Sequence, residues 1–390
     1  VGGSWNIYKE KFFQADSVDM LKLRASYGIG GNIGRNTAPY LIASYYDSSL
    51  VDGMAGSVNT PPNKDIRWEK TTTVNVGVDF ALFRHRLSGT IEYYNKYSVD
   101  LLAAINGSPT QGFGYTTLMT NNGKMVNRGV EITLSGEIIR QKDFSWNASL
   151  LYAFNRNKVK HISVQPSLWD SRISMPTSYP MVGKPLYGIY AYKWAGLNEN
   201  GDPQVYDAEN NVTSGPARDY HALVYCGTTV PIHNASLTNV LRYKGFEFSA
   251  MLILDAGHKL RSSNIPSINM SNGRITSTAK GIVDRWTQPG DVTDVPRLLF
   301  SNDTENFNTH RTELYRYSDL FVYDASNIRL SNISLAYRVP AHWCKKISLS
   351  GARLQFNVEN VATFAFDSKA NYDLGGKVKP NYVWGLYLNF

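Results

Sequence analysis

No stretch of this 390-residue chain approaches the ~18 consecutive apolar residues a membrane-spanning helix needs. That excludes helical spans and leaves strands open, since a barrel alternates lipid-facing with polar residues and keeps a mean hydropathy as low as the −0.30 found here. Cysteine is scarce: Cys226 and Cys344 lie far apart with no Cys or His spacing around them, so neither a disulfide framework nor a zinc site is legible. The seven histidines form no HExxH and no pair at i, i+4, and no serine sits in a nucleophile elbow, so the chain is not expected to be an enzyme. The net charge of +8 is not gathered into a basic arm. Much of it falls in short turns such as Arg84-His85-Arg86, Arg140-Gln141-Lys142, Arg242-Tyr243-Lys244 and Lys345-Lys346, which argues against a nucleic-acid partner.

What the chain does have is period two. Counting back from Phe390, the residues Leu388, Leu386, Trp384 and Tyr382 fall on one face of a strand, with Asn389, Tyr387, Gly385 and Val383 on the other. A terminal strand with an apolar, aromatic face is expected to close an outer-membrane barrel. Similar runs recur: Leu21 to Gly28, Val74 to Phe80, Leu87 to Tyr93, Val130 to Ser135, Phe144 to Tyr152, Leu237 to Tyr243, Phe246 to Leu254 and Ala352 to Glu359. Parity slips between Ile328-Leu330 and Ile333-Leu335-Tyr337, which a bulge near Ser331-Asn332 would reconcile.

Connections alternate between short ones near 82–86, 138–143, 242–245 and 339–347 and long ones near 30–65, 96–127, 155–233, 256–326 and 361–380. Short periplasmic turns and long extracellular loops are the mark of a transmembrane barrel, with the last strand running inward. The expected fold is all-β: an antiparallel transmembrane barrel portion of about ten strands. The start at Val1, with Ser4-Trp5-Asn6-Ile7-Tyr8 already alternating, reads as an internal cut point.

Several segments resemble a known family: Leu21-Lys22-Leu23-Arg24-Ala25-Ser26-Tyr27-Gly28 followed by Gly30-Gly31-Asn32; Ile66-Arg67-Trp68-Glu69-Lys70-Thr71-Thr72-Thr73; Asn127-Arg128-Gly129-Val130-Glu131; Tyr243-Lys244-Gly245-Phe246; Ser326-Asn327-Ile328-Arg329-Leu330; and Phe356-Asn357-Val358-Glu359-Asn360. Together they resemble the C-terminal part of a SusC/RagA-type TonB-linked outer-membrane transporter of the Bacteroidota. The resemblance implies that residues 1–390 are part of a barrel of about 22 strands, with the plug and TonB box outside the chain. It implies the cell outer membrane of a Gram-negative bacterium, and a SusD-like lipoprotein lid, TonB, the barrel assembly machinery and the lipid bilayer as partners. The implied function is TonB-dependent import of a nutrient oligomer, a glycan before a peptide. The alternative from the residues alone is a small complete barrel with surface hydrolase activity; a soluble all-β glycan-binding domain would instead carry a polar tail and shorter loops.

Few motifs carry chemistry. Gly28-Ile29-Gly30-Gly31-Asn32-Ile33-Gly34 follows a strand, but no helix follows it, so it reads as a strand exit and not a phosphate loop. Asn198-Glu199-Asn200-Gly201-Asp202 with Asp207 and Glu209, and Asp291, Asp294, Asp303 and Glu305, read as solvated turns before calcium ligands. No metal or cofactor is expected. Loop aromatics could stack on sugar faces, and Trp169 and Trp286, farthest from the strands, are the candidate substrate contacts. Tyr382, Trp384, Leu386, Leu388 and Phe390 are the candidate assembly strand.

Overall fold

Alternating side chains give each strand two chemically distinct faces, and a strand so patterned is stable only in register with neighbours patterned alike. The computed structural model describes residues 1–34, 39–47, 53–60, 62–106, 117–164, 171–215, 219–270, 279–300, 309–374 and 379–390. Its main feature is one antiparallel sheet of eleven strands in sequence order. They are β1 (Gly2–Asn6), β2 (Val18–Asn32), β3 (Glu69–Leu82), β4 (Leu87–Asn106), β5 (Thr117–Arg140), β6 (Phe144–His161), β7 (His233–Tyr243), β8 (Phe246–Ala256), β9 (Asn327–Arg338), β10 (Gly351–Ala365) and β11 (Asn381–Asn389). The strand beyond the expected ten is β1, the segment whose alternation at Ser4-Trp5-Asn6 reads as a strand end.

Register sorts the side chains into rows. Trp5, Leu23, Val78, Ile91, Ile132 and Tyr152 stand opposite one another across β1 to β6. Trp146, Leu241, Phe248, Leu335, Phe356 and Trp384 do so across β6 to β11. Both rows lie on the same face, and it is open: Trp384 is 78% exposed. Large exposed apolar faces are foreign to soluble monomers and suit lipid. The opposite face carries the row Ser4, Arg24, Gly77, Glu92, Glu131, Ala153, Asn234, Asp255 and Asn327. The bulge is where parity required it: pairing on both sides of β9 steps from Leu330 to Asn332, leaving Ser331 over.

Short turns gather at one end of the sheet and long connections at the other. The span 96–127 is a correction to the expected long loop. β4 continues to Asn106 and β5 starts at Thr117, with register shifts between Ser98 and Leu102. At ~3.4 Å per residue, the 24 residues of β5 run about 80 Å, well past a hydrocarbon core of ~30 Å.

The buried core is not in the wall. It lies in the connections 162–232 and 257–326, where Tyr190, Tyr192, Val205, Ala222, Leu223 and Leu314 form one cluster, and Ile268, Tyr315 and Phe321 another. Short strands at Gly188–Tyr192, Pro203–Tyr206 and Leu223–Thr228 and a helix at Thr309–Arg316 carry Tyr190, Tyr192, Val205, Leu223, Leu314 and Tyr315, and 3-10 turns at Tyr220–Ala222 and Asp319–Phe321 carry Ala222 and Phe321. The described residues of these two connections form a folded lobe.

Candidate functional site: the polar face and the lobe above it

On the polar face charge is tied up between strands. Arg24 of β2 donates through Nε to Asp79 Oδ1 (3.2 Å) and through Nη2 to Glu92 Oε2 (2.6 Å), linking β2, β3 and β4. The guanidinium crosses above Gly77, where a Cβ would come 3.0 Å from Arg24 Cζ. Thr90 adds a hydroxyl to Asp79 Oδ1 at 3.1 Å. Farther along, Asp255 accepts from Asn234 Nδ2 (2.7 Å) and Arg329 Nη2 (3.2 Å). Around these pairs lie hydroxyl and amide side chains such as Thr133, Ser149, Thr238, Ser249, Ser334 and Asn357, each opposite another residue of that face. A hollow of about 350 Å³ opens on this face, with Glu131, Asn234, Ser236 and Asp255 among its walls.

Segments that carried the family resemblance meet in space. Asn32 stands opposite Glu69 and donates to its Oε2 at 2.8 Å, while Oε1 takes the backbone N–H of Leu102 at 2.9 Å. The Trp68 ring lies against Gly31, where a Cβ would come 2.9 Å from Cε3. Gly31 is therefore a seat for Trp68, which accounts for glycine at that position without any phosphate. Gly129 plays the same part for Tyr94, whose hydroxyl a Cβ would meet at 2.5 Å.

In the lobe, Arg311 is only 3% exposed and bonds Asp202 Oδ1 at 3.0 Å, with further bonds to Asn269 Oδ1 (2.5 Å) and Arg297 O (2.7 Å). Arg297 adds a fork to the same carboxylate, Nε at 3.0 Å and Nη2 at 2.8 Å. Arg261 donates to the carbonyls of Tyr190 (2.6 Å), Arg316 (3.2 Å) and Ser318 (3.3 Å). Burial pushes the pKa of both Arg261 and Arg311 below the ordinary value, with Asp202 opposing the shift for Arg311. A guanidinium stays charged through such shifts, so these are pins that fix the lobe. Cys226 is held as a thiol, its pKa pushed up to about 11 by burial.

Trp286 sits half-buried on the turn it helps to shape. A Cβ at Gly201 would meet its Cδ2 at 2.4 Å, and φ at Gly201 is +73°. Trp169 lies outside the described residues, as do Asp303 and Glu305. Asp202 serves two arginines, Asn198 Oδ1 accepts the N–H groups of Asn200 (2.9 Å) and Asp202 (2.8 Å), and Asp207 Oδ1 those of Glu209 (2.9 Å) and Asn211 (2.8 Å). Asp291 accepts from Thr287 and Gln288, and Asp294 from Trp194 Nε1 at 3.0 Å. These acidic stretches are built as turns and ion pairs, and among the described residues no group of three His, Cys, Asp or Glu is placed to hold a metal. Tyr382, Trp384, Leu386 and Leu388 share the apolar face of β11, and Phe390 follows the strand, 92% exposed. The Arg24 pairs and the Asp202 network escaped the sequence reading. Alternation in β2 and β3 carried a signal for the first, while nothing local marks partners as distant as Asp202 and Arg311.

A sheet with an apolar face, a polar face and all long connections at one end is the wall of an outer-membrane β-barrel. The model of the TonB dependent receptor-like, beta-barrel family matches residues 7–361, and the chain belongs to that family. TonB-dependent receptor P3 of Formosa agariphila is 26% identical over 98% of this chain and 39% of its own length. TonB-dependent receptor SusC of Bacteroides thetaiotaomicron is 26% identical over 91% of this chain and 35% of its own. The chain thus spans well under half the length of the curated relatives it matches. The structure of the RagAB peptide transporter shares the fold, with a TM-score of 0.79 at 23% identity, covering 100% of this chain and 43% of that one.

Proposed function

We propose that these strands are the C-terminal half of the wall of a TonB-dependent importer that carries a nutrient oligomer, a glycan, across the outer membrane. In this reading the plug and TonB box lie N-terminal to Val1, a SusD-like lipoprotein covers the mouth, and the chain itself performs no chemistry. The observation that carries it is the polar face away from its short-turn rim: Arg24 is closed on Asp79 and Glu92 and Arg329 on Asp255, interspersed with hydroxyls and amides. Such a surface suits a neutral, polyhydroxylated cargo better than a charged one. His221 bonds Asp219, His310 bonds Glu313 and His233 bonds Tyr152, while His161 Nε2 lies 3.3 Å from Ser163 Oγ two residues along an exposed strand end, with neither residue shielded from water as a hydrolase nucleophile and base would be.

The test is uptake of labelled oligosaccharide and labelled oligopeptide pools by the source bacterium, with the receptor gene intact, deleted, or intact in a strain lacking TonB. Loss of oligosaccharide uptake in both altered strains is expected. Loss of peptide uptake alone, the cargo named for RagAB, would sink the glycan reading. Uptake that survives without TonB would sink energised import.

A further inference from the structure

The polar face ends at the short-turn rim in a group of arginines with too little negative charge around them. Arg338 of β9 and Arg353 of β10 are direct cross-strand partners. Arg242 of β7 lies nearby on the same face, opposite Glu247 of β8. Like charges directly opposite in a sheet destabilise it unless something neutralises them. Glu247 is the local carboxylate, and both its oxygens are taken: Oε2 by Arg242 Nε at 2.8 Å and Oε1 by Arg353 Nη2 at 3.1 Å. The Arg338 guanidinium has no acceptor among the described residues. The Lys244 ammonium lies over the Tyr243 ring, 5.3 Å from its centroid. Between these side chains is a cavity of about 130 Å³, with Arg242, Glu247, Arg338 and Arg353 in its walls.

We infer that the short-turn end of the wall's polar face carries an oxyanion site, in which Arg338, Arg353 and Arg242 take a single carboxylate or phosphate group. Three guanidiniums and the Lys244 ammonium against one carboxylate leave a formal excess of three positive charges. The guanidinium fork matches planar or tetrahedral oxyanions in bidentate fashion. The volume holds one such group and no oligomer, so the site is distinct from a cargo path. Two sources have this chemistry: a free anion, or an Asp or Glu of polypeptide outside these residues. The inference requires the fold alone and stands whether or not glycan import does.

The experiment is thermal unfolding of the full-length receptor in detergent, as wild type, Arg338→Gln and Arg338→Lys, in chloride and in phosphate at matched ionic strength. A free-anion site predicts that phosphate raises the wild-type midpoint by on the order of 2 °C, that Arg338→Gln abolishes the shift, and that Arg338→Lys keeps part of it. An internal carboxylate predicts no phosphate shift, a lower midpoint for Arg338→Gln in both buffers, and a midpoint near wild type for Arg338→Lys. If the site is empty, removing Arg338 relieves repulsion. Arg338→Gln melting at or above wild type in both buffers overturns the inference, and so does a phosphate shift that survives in Arg338→Gln.

Discussion

Gly77 owes its place to what lies over it. The Arg24 side chain can reach two strands away only because position 77 has no Cβ beneath the guanidinium. In Gly77→Ala the new methyl meets Cζ at 3.0 Å and Nε and Nη2 at 3.1 Å, so the guanidinium must give by a few tenths of an ångström, which stretches its bonds to Asp79 and Glu92. The expected cost is at most about 1–3 kcal/mol, the worth of charge-assisted bonds on a half-buried surface. Gly28→Ala in the neighbouring strand is the control, because a Cβ there has nothing within 4 Å. The urea midpoints of the two variants in the full-length receptor should therefore differ. Equal midpoints would show that Arg24 does not need the gap.

For elements, legibility followed periodicity. β3, β6, β8 and β10 were plain in the sequence because each alternates, and even the Ser331 bulge was demanded by parity. The lobe was not legible. Gly188–Tyr192 is buried at all five positions and so has no alternation to read, and its packing partners include Leu314, far along the chain. The segment 96–127 carries two Asn-Gly pairs, Asn106-Gly107 and Asn122-Gly123, which are turn signals. The second pair instead lies within β5, where Gly123 pairs with Leu101 beside a register shift. The terminal strand makes its own prediction. Tyr387 faces Arg353 on the polar side, whereas Trp384 packs on Phe356 on the other, ring centroids 4.2 Å apart. Tyr387→Ser should leave outer-membrane abundance near normal. Deleting Phe390 removes an aromatic worth roughly 1.5–3 kcal/mol of burial, a loss the fold tolerates, so a large drop in abundance would reflect failed recognition by the assembly machinery. Abundance that is equal in the two, or lower for Tyr387→Ser, contradicts the assigned facing.

At the scale of the molecule, both outer strands of the sheet are open. β1 pairs only with β2, and β11 only with β10. Unpaired backbone groups in hydrocarbon cost several kcal/mol each, more in sum than a net stability of ~5–15 kcal/mol can carry. Further strands completing the barrel would remove that cost. Sidedness follows from the placement of the connections. A tag at Asn210, in an exposed turn of the lobe, should be labelled by an impermeant reagent on intact cells, and one at Lys345, in the turn between β9 and β10, should not. Labelling at Lys345 alone would reverse the direction assigned to every strand.

The lobe also bears on how the wall is made. Every strand in the sheet pairs with its neighbours in sequence, so the wall can grow one hairpin at a time. Joins such as β7 to β8 close over a short turn, whereas β8 to β9 must span residues 257–326 and β6 to β7 residues 162–232. Loop-closure entropy makes each of these long steps about 3 kcal/mol dearer than a two-residue turn. The pins of the lobe, Arg311 on Asp202 and Arg261 on Tyr190, join residues 162–232 to residues 257–326. They tie together the two connections that flank the β7–β8 hairpin. The lobe is thus a clasp over four consecutive strands, β6 to β9, which are linked to one another outside the sheet as well as within it.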